Sequence, residues 1–168
     1  MHPLIRAIEA ASEKVGILGS LLIIPLVLST CYEVFARYLF NAPTIWAYEV
    51  GYMLTGSHFL LGLAFTLRAG EHIRIDIFSG KFSQRTRALI DLAGYTVLVP
   101  MLVWLTLALS RYFYTGYISN EKSGQSAFNM PVWPFRLVFF AAFLLLTLQV
   151  LAEVLKLARA LRRGAPQG

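Results

Sequence analysis

Residues 15–40 read VGILGSLLIIPLVLSTCYEVFARYLF, and the stretch from Ile17 to Leu28 at their centre carries no charge. At about 1.5 Å per residue, a helix over the whole stretch is longer than the roughly 30 Å hydrocarbon core of a bilayer. Pro25 is compatible with such a helix, because neighbouring helices in a membrane protein can take up the carbonyl that proline leaves without a partner. The last turns, which hold Glu33 and Arg37, then reach the membrane interface. Working outward, three more apolar runs follow, at about 45–67, 88–112 and 131–155. With 168 residues, 57% hydrophobic and 14% charged, the chain is too short to bury four such runs inside a water-soluble globule. The expectation is an all-α membrane protein, a single four-helix membrane domain over residues 1–168.

The segments between the runs carry turn and loop signals. Asn41-Ala42-Pro43-Thr44 is a tight turn, with proline as the helix stop and Thr44 as a cap for the second helix. Trp46 and Tyr48 suit an interfacial aromatic belt. Gly51, Gly56 and Gly62 would permit close helix approach. Residues 113–130, rich in Tyr, Ser, Asn and Gly, read as an exposed loop. Prolines at 131 and 134 suit a helix start, where their missing amides are not needed.

Charge fixes the expected orientation. Arg6, Lys14, Arg68, Arg74, Lys81, Arg85, Arg87, Lys156, Arg159, Arg162 and Arg163 fall on one side of the four runs. Arg37, Arg111, Lys122 and Arg136 fall on the other. The excess of eleven over four places both termini and the middle loop in the cytoplasm, N-in and C-in. Within that loop, Ile73, Ile77, Phe78 and Phe82 alternate with basic residues, which fits a short amphipathic interfacial helix over about 71–87. A flexible connector or a strand through 73–77 is the alternative. The net charge of +6 therefore reads as topology, and no basic stripe with interleaved aromatics points to nucleic acid.

Little of the sequence suggests chemistry. Glu33 and Arg37 stand four residues apart and can pair on one helix face. Glu49, just across the turn, is placed to reach Arg37 from the second helix. This is the pattern of an ion pair clamping the first two helices at the outer side; an ion relay would need further acidic groups in mid-membrane, and the third and fourth runs have none there. His58 and His72 are fourteen residues apart, but haem ligation would need second axial ligands that the chain lacks. His58 reads as an interhelical hydrogen-bonding residue and His72 as a polar group at the membrane surface. Cys31 is the only cysteine; Leu28-Ser29-Thr30-Cys31 has a faint likeness to a lipoprotein cleavage site, but the charged residues before it favour an uncleaved helix. Neither a catalytic constellation, a metal site nor a cofactor site is expected, so the chain reads as a scaffold and not as an enzyme.

Three segments together resemble the small membrane subunit of tripartite ATP-independent periplasmic (TRAP) transporters, the DctQ-like family. They are Arg37-Tyr38-Leu39-Phe40-Asn41-Ala42-Pro43-Thr44-Ile45-Trp46 followed by Glu49, then Arg68-Ala69-Gly70-Glu71-His72-Ile73-Arg74-Ile75-Asp76, and Met130-Pro131-Val132-Trp133. In the fourth helix, Phe139-Phe140-Ala141-Ala142 stands where many members have Pro-x-Gly. The resemblance implies a bacterial inner-membrane protein partnered by a large membrane subunit and a periplasmic solute-binding protein, in sodium-coupled uptake of an organic acid. On that reading Glu33, Arg37, Asn41, Trp46 and Glu49 hold the first hairpin, and Arg68, His72 and Asp76 lie at the cytoplasmic interface. Tyr117, Asn120, Glu121, Lys122 and Gln125 would help dock the binding protein. Two other readings share this topology: an accessory subunit of a tripartite tricarboxylate-type transporter, and an independent small dimeric transporter using Glu33.

Overall fold

The computed structural model describes residues 3–69 and 84–163. They form five helical segments: α1 (Pro3–Leu21), α2 (Ile23–Leu39), α3 (Ala47–Ala69), α4 (Gln84–Ile118) and α5 (Trp133–Arg163). Four stretches are long and apolar enough to cross a membrane: Pro3–Leu39, Ala47–Ala69, Leu89–Ile118 and Trp133–Arg159. The described residues are therefore those of an all-helical, four-span membrane protein. The interfacial helix expected over 71–87 falls mostly outside the described residues; 84–87 belong to the first turn of α4.

The spans are longer than the apolar runs, and the ends explain why. α1 begins at Pro3, twelve residues before the first uncharged run, and continues into α2 with one interruption at Leu22. Pro25 supplies no N–H to the carbonyl of Leu21, and the helix tightens there: the Leu22 amide donates to the Gly19 carbonyl at 3.1 Å, the three-residue spacing of a tighter turn. The charged turns before residue 15 stay helical because their side chains find partners on α3 and α5. The α4 helix runs on to Ile118 and then stops in a left-handed C-cap. Asn120 has φ 47°, the Glu121 amide returns to the Gly116 carbonyl (3.2 Å) and the Asn120 amide to Tyr117 (3.3 Å), the paired bonds of a Schellman motif. The exposed loop is thus 119–132, shorter than the 113–130 reading at its start because the aromatic residues 113–118 pack as helix. Ring contacts from Tyr117 to Phe113 and to Trp133 hold that last turn.

α1, α3 and α5 pack against one another, with α2 laid on α3 and α4 on α5. α4 packs extensively on α5 alone, α5 on α3, and α3 on both α1 and α2, while α1 also touches α5. Leu67, Leu102 and Val150, from α3, α4 and α5, form a small buried core cluster. Thr106 and Thr147 share a buried hydrogen bond of 3.0 Å between α4 and α5. Small residues set the closest approaches. A Cβ at Gly16 would lie 2.6 Å from Phe65 Cβ, and one at Gly19 3.0 Å from Leu61 Cβ, so α1 rests directly on α3. Gly56 meets the Phe135 ring of α5 in the same way, whereas Gly51 and Gly62 open onto free space. Of the three glycines expected to mediate packing, only Gly56 does so, because the other two point along faces with no neighbouring helix.

Candidate functional site

Polar side chains gather at the two ends of the helices. At the hairpin end, Glu33 of α2 organises the turn into α3. It accepts from Arg37 Nε (2.9 Å) and from the Thr44 amide (2.8 Å). The Arg37 guanidinium terminus and the Thr44 hydroxyl also close on it. Asn41, with φ 50°, reverses the chain, and the Ala42 amide satisfies the Ala36 carbonyl at 3.0 Å. Trp46 stacks on Tyr32 with ring centroids 5.9 Å apart and planes 25° off parallel. Glu33, Arg37, Asn41 and Trp46 therefore meet in one turn. Thr44 does not cap α3, which starts at Ala47; its hydroxyl is committed to Glu33.

Glu49 goes elsewhere. It forms no ion pair with Arg37 and is fully buried beneath the 119–132 loop. Its carboxylate accepts from Ser123 Oγ (2.6 Å), Ser126 Oγ (2.7 Å) and the Met130 amide (2.7 Å). Burying a carboxylate is costly unless its oxygens are hydrogen-bonded, and three donors from one loop meet that requirement. No local pattern could have found these partners, which lie 74 to 81 residues away in sequence.

Beside the loop, Arg136 of α5 is buried, with its guanidinium 3.7 Å from the centroid of the Tyr112 ring. It donates to Glu121 Oε1 (2.6 Å) and to the Tyr112 carbonyl (3.4 Å). Gly116 leaves the space the guanidinium occupies, since a Cβ there would crowd Arg136 Cδ at 3.1 Å. Sequence reading counted Arg136 only as an outer charge; its place inside the last apolar run, five residues after Pro131, was the available signal. Of the loop residues singled out from sequence, Glu121 carries the Arg136 pair and Asn120 the helix cap. Lys122 pairs through its backbone with Pro131, Gln125 is exposed, and Tyr117 packs on Trp133.

The terminal end carries a second network that sequence reading did not assemble. Arg68 pairs with Glu13 at 3.0 Å. Lys156 bridges Glu9 (2.5 Å) and Glu153 (2.8 Å). Fully buried Gln149 links Glu153 (3.1 Å) to fully buried Ser12 (3.0 Å). His72 and Asp76, assigned to this surface from sequence, lie outside the described residues. Between the two ends, His58 Nδ1 stands 2.9 Å from the Gly19 carbonyl, so that nitrogen is the protonated one. It ties α3 to the point where the first span is interrupted.

The family described as tripartite ATP-independent periplasmic transporters, DctQ component, matches residues 26–160. The chain belongs to the DctQ family. No curated protein and no solved structure matches it. The DctQ match begins within α2 and ends within α5, so it takes in the Glu33 turn, the Glu49 loop and Arg136. DctQ is a family of transporter components and not a family of enzymes, and this chain is a multi-pass membrane protein.

Proposed function

We propose that this chain is the small permease subunit of a TRAP transporter in the bacterial inner membrane, with both termini in the cytoplasm. It packs on the large membrane subunit, widens the static scaffold against which that subunit moves, and offers its periplasmic loop to the solute-binding protein. The transported class is an organic acid, driven by sodium, with the solute and ion sites on the large subunit. The observation that carries this reading is the distribution of charge. Among the described residues the ion pairs stand near the two ends of the helices, and the acidic groups there are engaged by neighbouring donors. Glu33, on which an independent carrier would depend, is held by Arg37 and Thr44. Helices tied at both ends suit a brace, and the described residues offer no charged path for a solute.

Co-expression with the large subunit and reconstitution into vesicles tests the reading. The chain alone is expected to be inert, and uptake should need the large subunit and the binding protein together. Reversing the charge of Lys122 should change the salt dependence of uptake, since rim charges steer association more than they fix affinity. Solute flux from the chain alone overturns the proposal.

A further inference from the structure

The 119–132 loop is longer than joining two antiparallel helices requires, a task that takes about 2–8 residues. It is nevertheless held in one shape. Asn120, Gly124 and Asn129 adopt φ 47°, 62° and 51°, the left-handed conformation that glycine and asparagine enter more readily than other residues. The Ser123 amide bonds the Met130 carbonyl (2.9 Å), Val132 bonds Glu121 (3.0 Å), and the Gly124 amide bonds Asn129 Oδ1 (3.1 Å). Glu49 lies under the centre of this fold, with donors from both strands of the loop. The burial of that carboxylate and the shape of the loop therefore depend on each other. Outward, the loop presents Gln125, Phe128 and Asn129, all exposed. An aromatic flanked by amides on a stiff frame is the composition of surfaces that recognise folded proteins.

We propose that Glu49 is a positioning residue for docking: from beneath, it holds the 119–132 loop in the conformation that a water-soluble solute-binding protein recognises, with Phe128 at the centre of the contact. This rests on the docking role given above. A loop released from Glu49 samples other shapes, and the apparent affinity falls by the fraction of time spent in the competent one.

The test uses the complete complex with the large subunit, carrying Glu49→Gln or, in parallel, the double change Ser123→Ala and Ser126→Ala. The double variant retains the carboxylate and the Met130 donor, and carries the test if Glu49→Gln fails to assemble. Amide hydrogen exchange over 119–132 and the half-saturating concentration of binding protein in vesicle uptake are measured together. Exchange at Ser123 and Met130 should quicken about tenfold, and the half-saturating concentration should rise about tenfold with the maximal rate retained. Phe128→Ala should raise the half-saturating concentration while leaving exchange at Ser123 unaltered. Unchanged exchange in both loop variants overturns the inference whether or not the loop docks anything. Faster exchange with unchanged half-saturation also overturns it; the docking reading then falls too only if reversal of Lys122 is silent. A lower maximal rate with the same half-saturation would mark Glu49 as merely structural and would equally overturn the inference.

Discussion

Arg136 and Gly116 behave as one unit. The guanidinium occupies the space left by the missing Cβ, lies over the Tyr112 ring and reaches Glu121. Replacing Arg136 by leucine removes the cation–π contact and the ion pair together, for an expected loss of about 2 kcal/mol; Glu121 is half exposed and regains water. Gly116→Ala should displace the guanidinium from the same contacts. The two changes combined should cost less than their sum, by about 1 kcal/mol, in a double-mutant cycle of detergent unfolding. Strict additivity would mean that the glycine does not serve the arginine. Across the same end, Glu33 links Arg37 to Thr44, so Arg37→Ala leaves the carboxylate with the Thr44 donors only. That variant should lower the yield of complex with the large subunit more than it changes the substrate concentration for half-maximal uptake. Co-purification beside an uptake titration measures both, and altered specificity with full assembly would count against a bracing role.

The first span shows how an element gains its length. Its turns before residue 15 carry Arg6, Glu9, Glu13 and Lys14 and would not be read as membrane helix from hydropathy. They are held by Lys156, Arg68 and Gln149, from α3 and α5. Direct contact of α1 with α3 then depends on Gly16 and Gly19. Gly16→Ala should destabilise this pairing by about 1–3 kcal/mol, because the obstructing atom is Phe65 Cβ, which cannot swing aside. Gly62→Ala, on a face without neighbours in the isolated chain, should instead be neutral or stabilise α3 by about 0.5–1 kcal/mol through helix propensity. Thermal unfolding of the two variants in one detergent makes the comparison. Equal melting temperatures would remove the case for glycine-mediated contact.

At the scale of the molecule, the helix packing leaves long apolar faces uncovered. Val97, Met101 and Trp104 on α4 are 64–72% exposed, and Phe35 and Tyr38 on α2 are 59% and 78% exposed. In water this would drive aggregation; lipid or a companion subunit accepts it. The orientation can be tested with Cys31→Ser as background. A single cysteine at position 125 should react with an impermeant maleimide on cells whose outer membrane has been opened. One at position 81 should react only after the inner membrane is opened as well. The reverse pattern would invert the topology.

Helix number and approximate position follow from hydropathy alone, since a bilayer demands about 20 consecutive apolar residues whatever the neighbours are. The Glu33–Arg37 pair was legible for a similar reason: its four-residue spacing lies within one helix. Glu49 was legible as a charge but not as a latch, Arg136 as a charge but not as a buried one, and the packing glycines only at Gly56. Hydrogen-bond partners 74 or more residues apart, and the choice of which glycine faces a neighbour, depend on how the helices are ordered and rotated. That is fixed only when side chains from different spans compete for the same space.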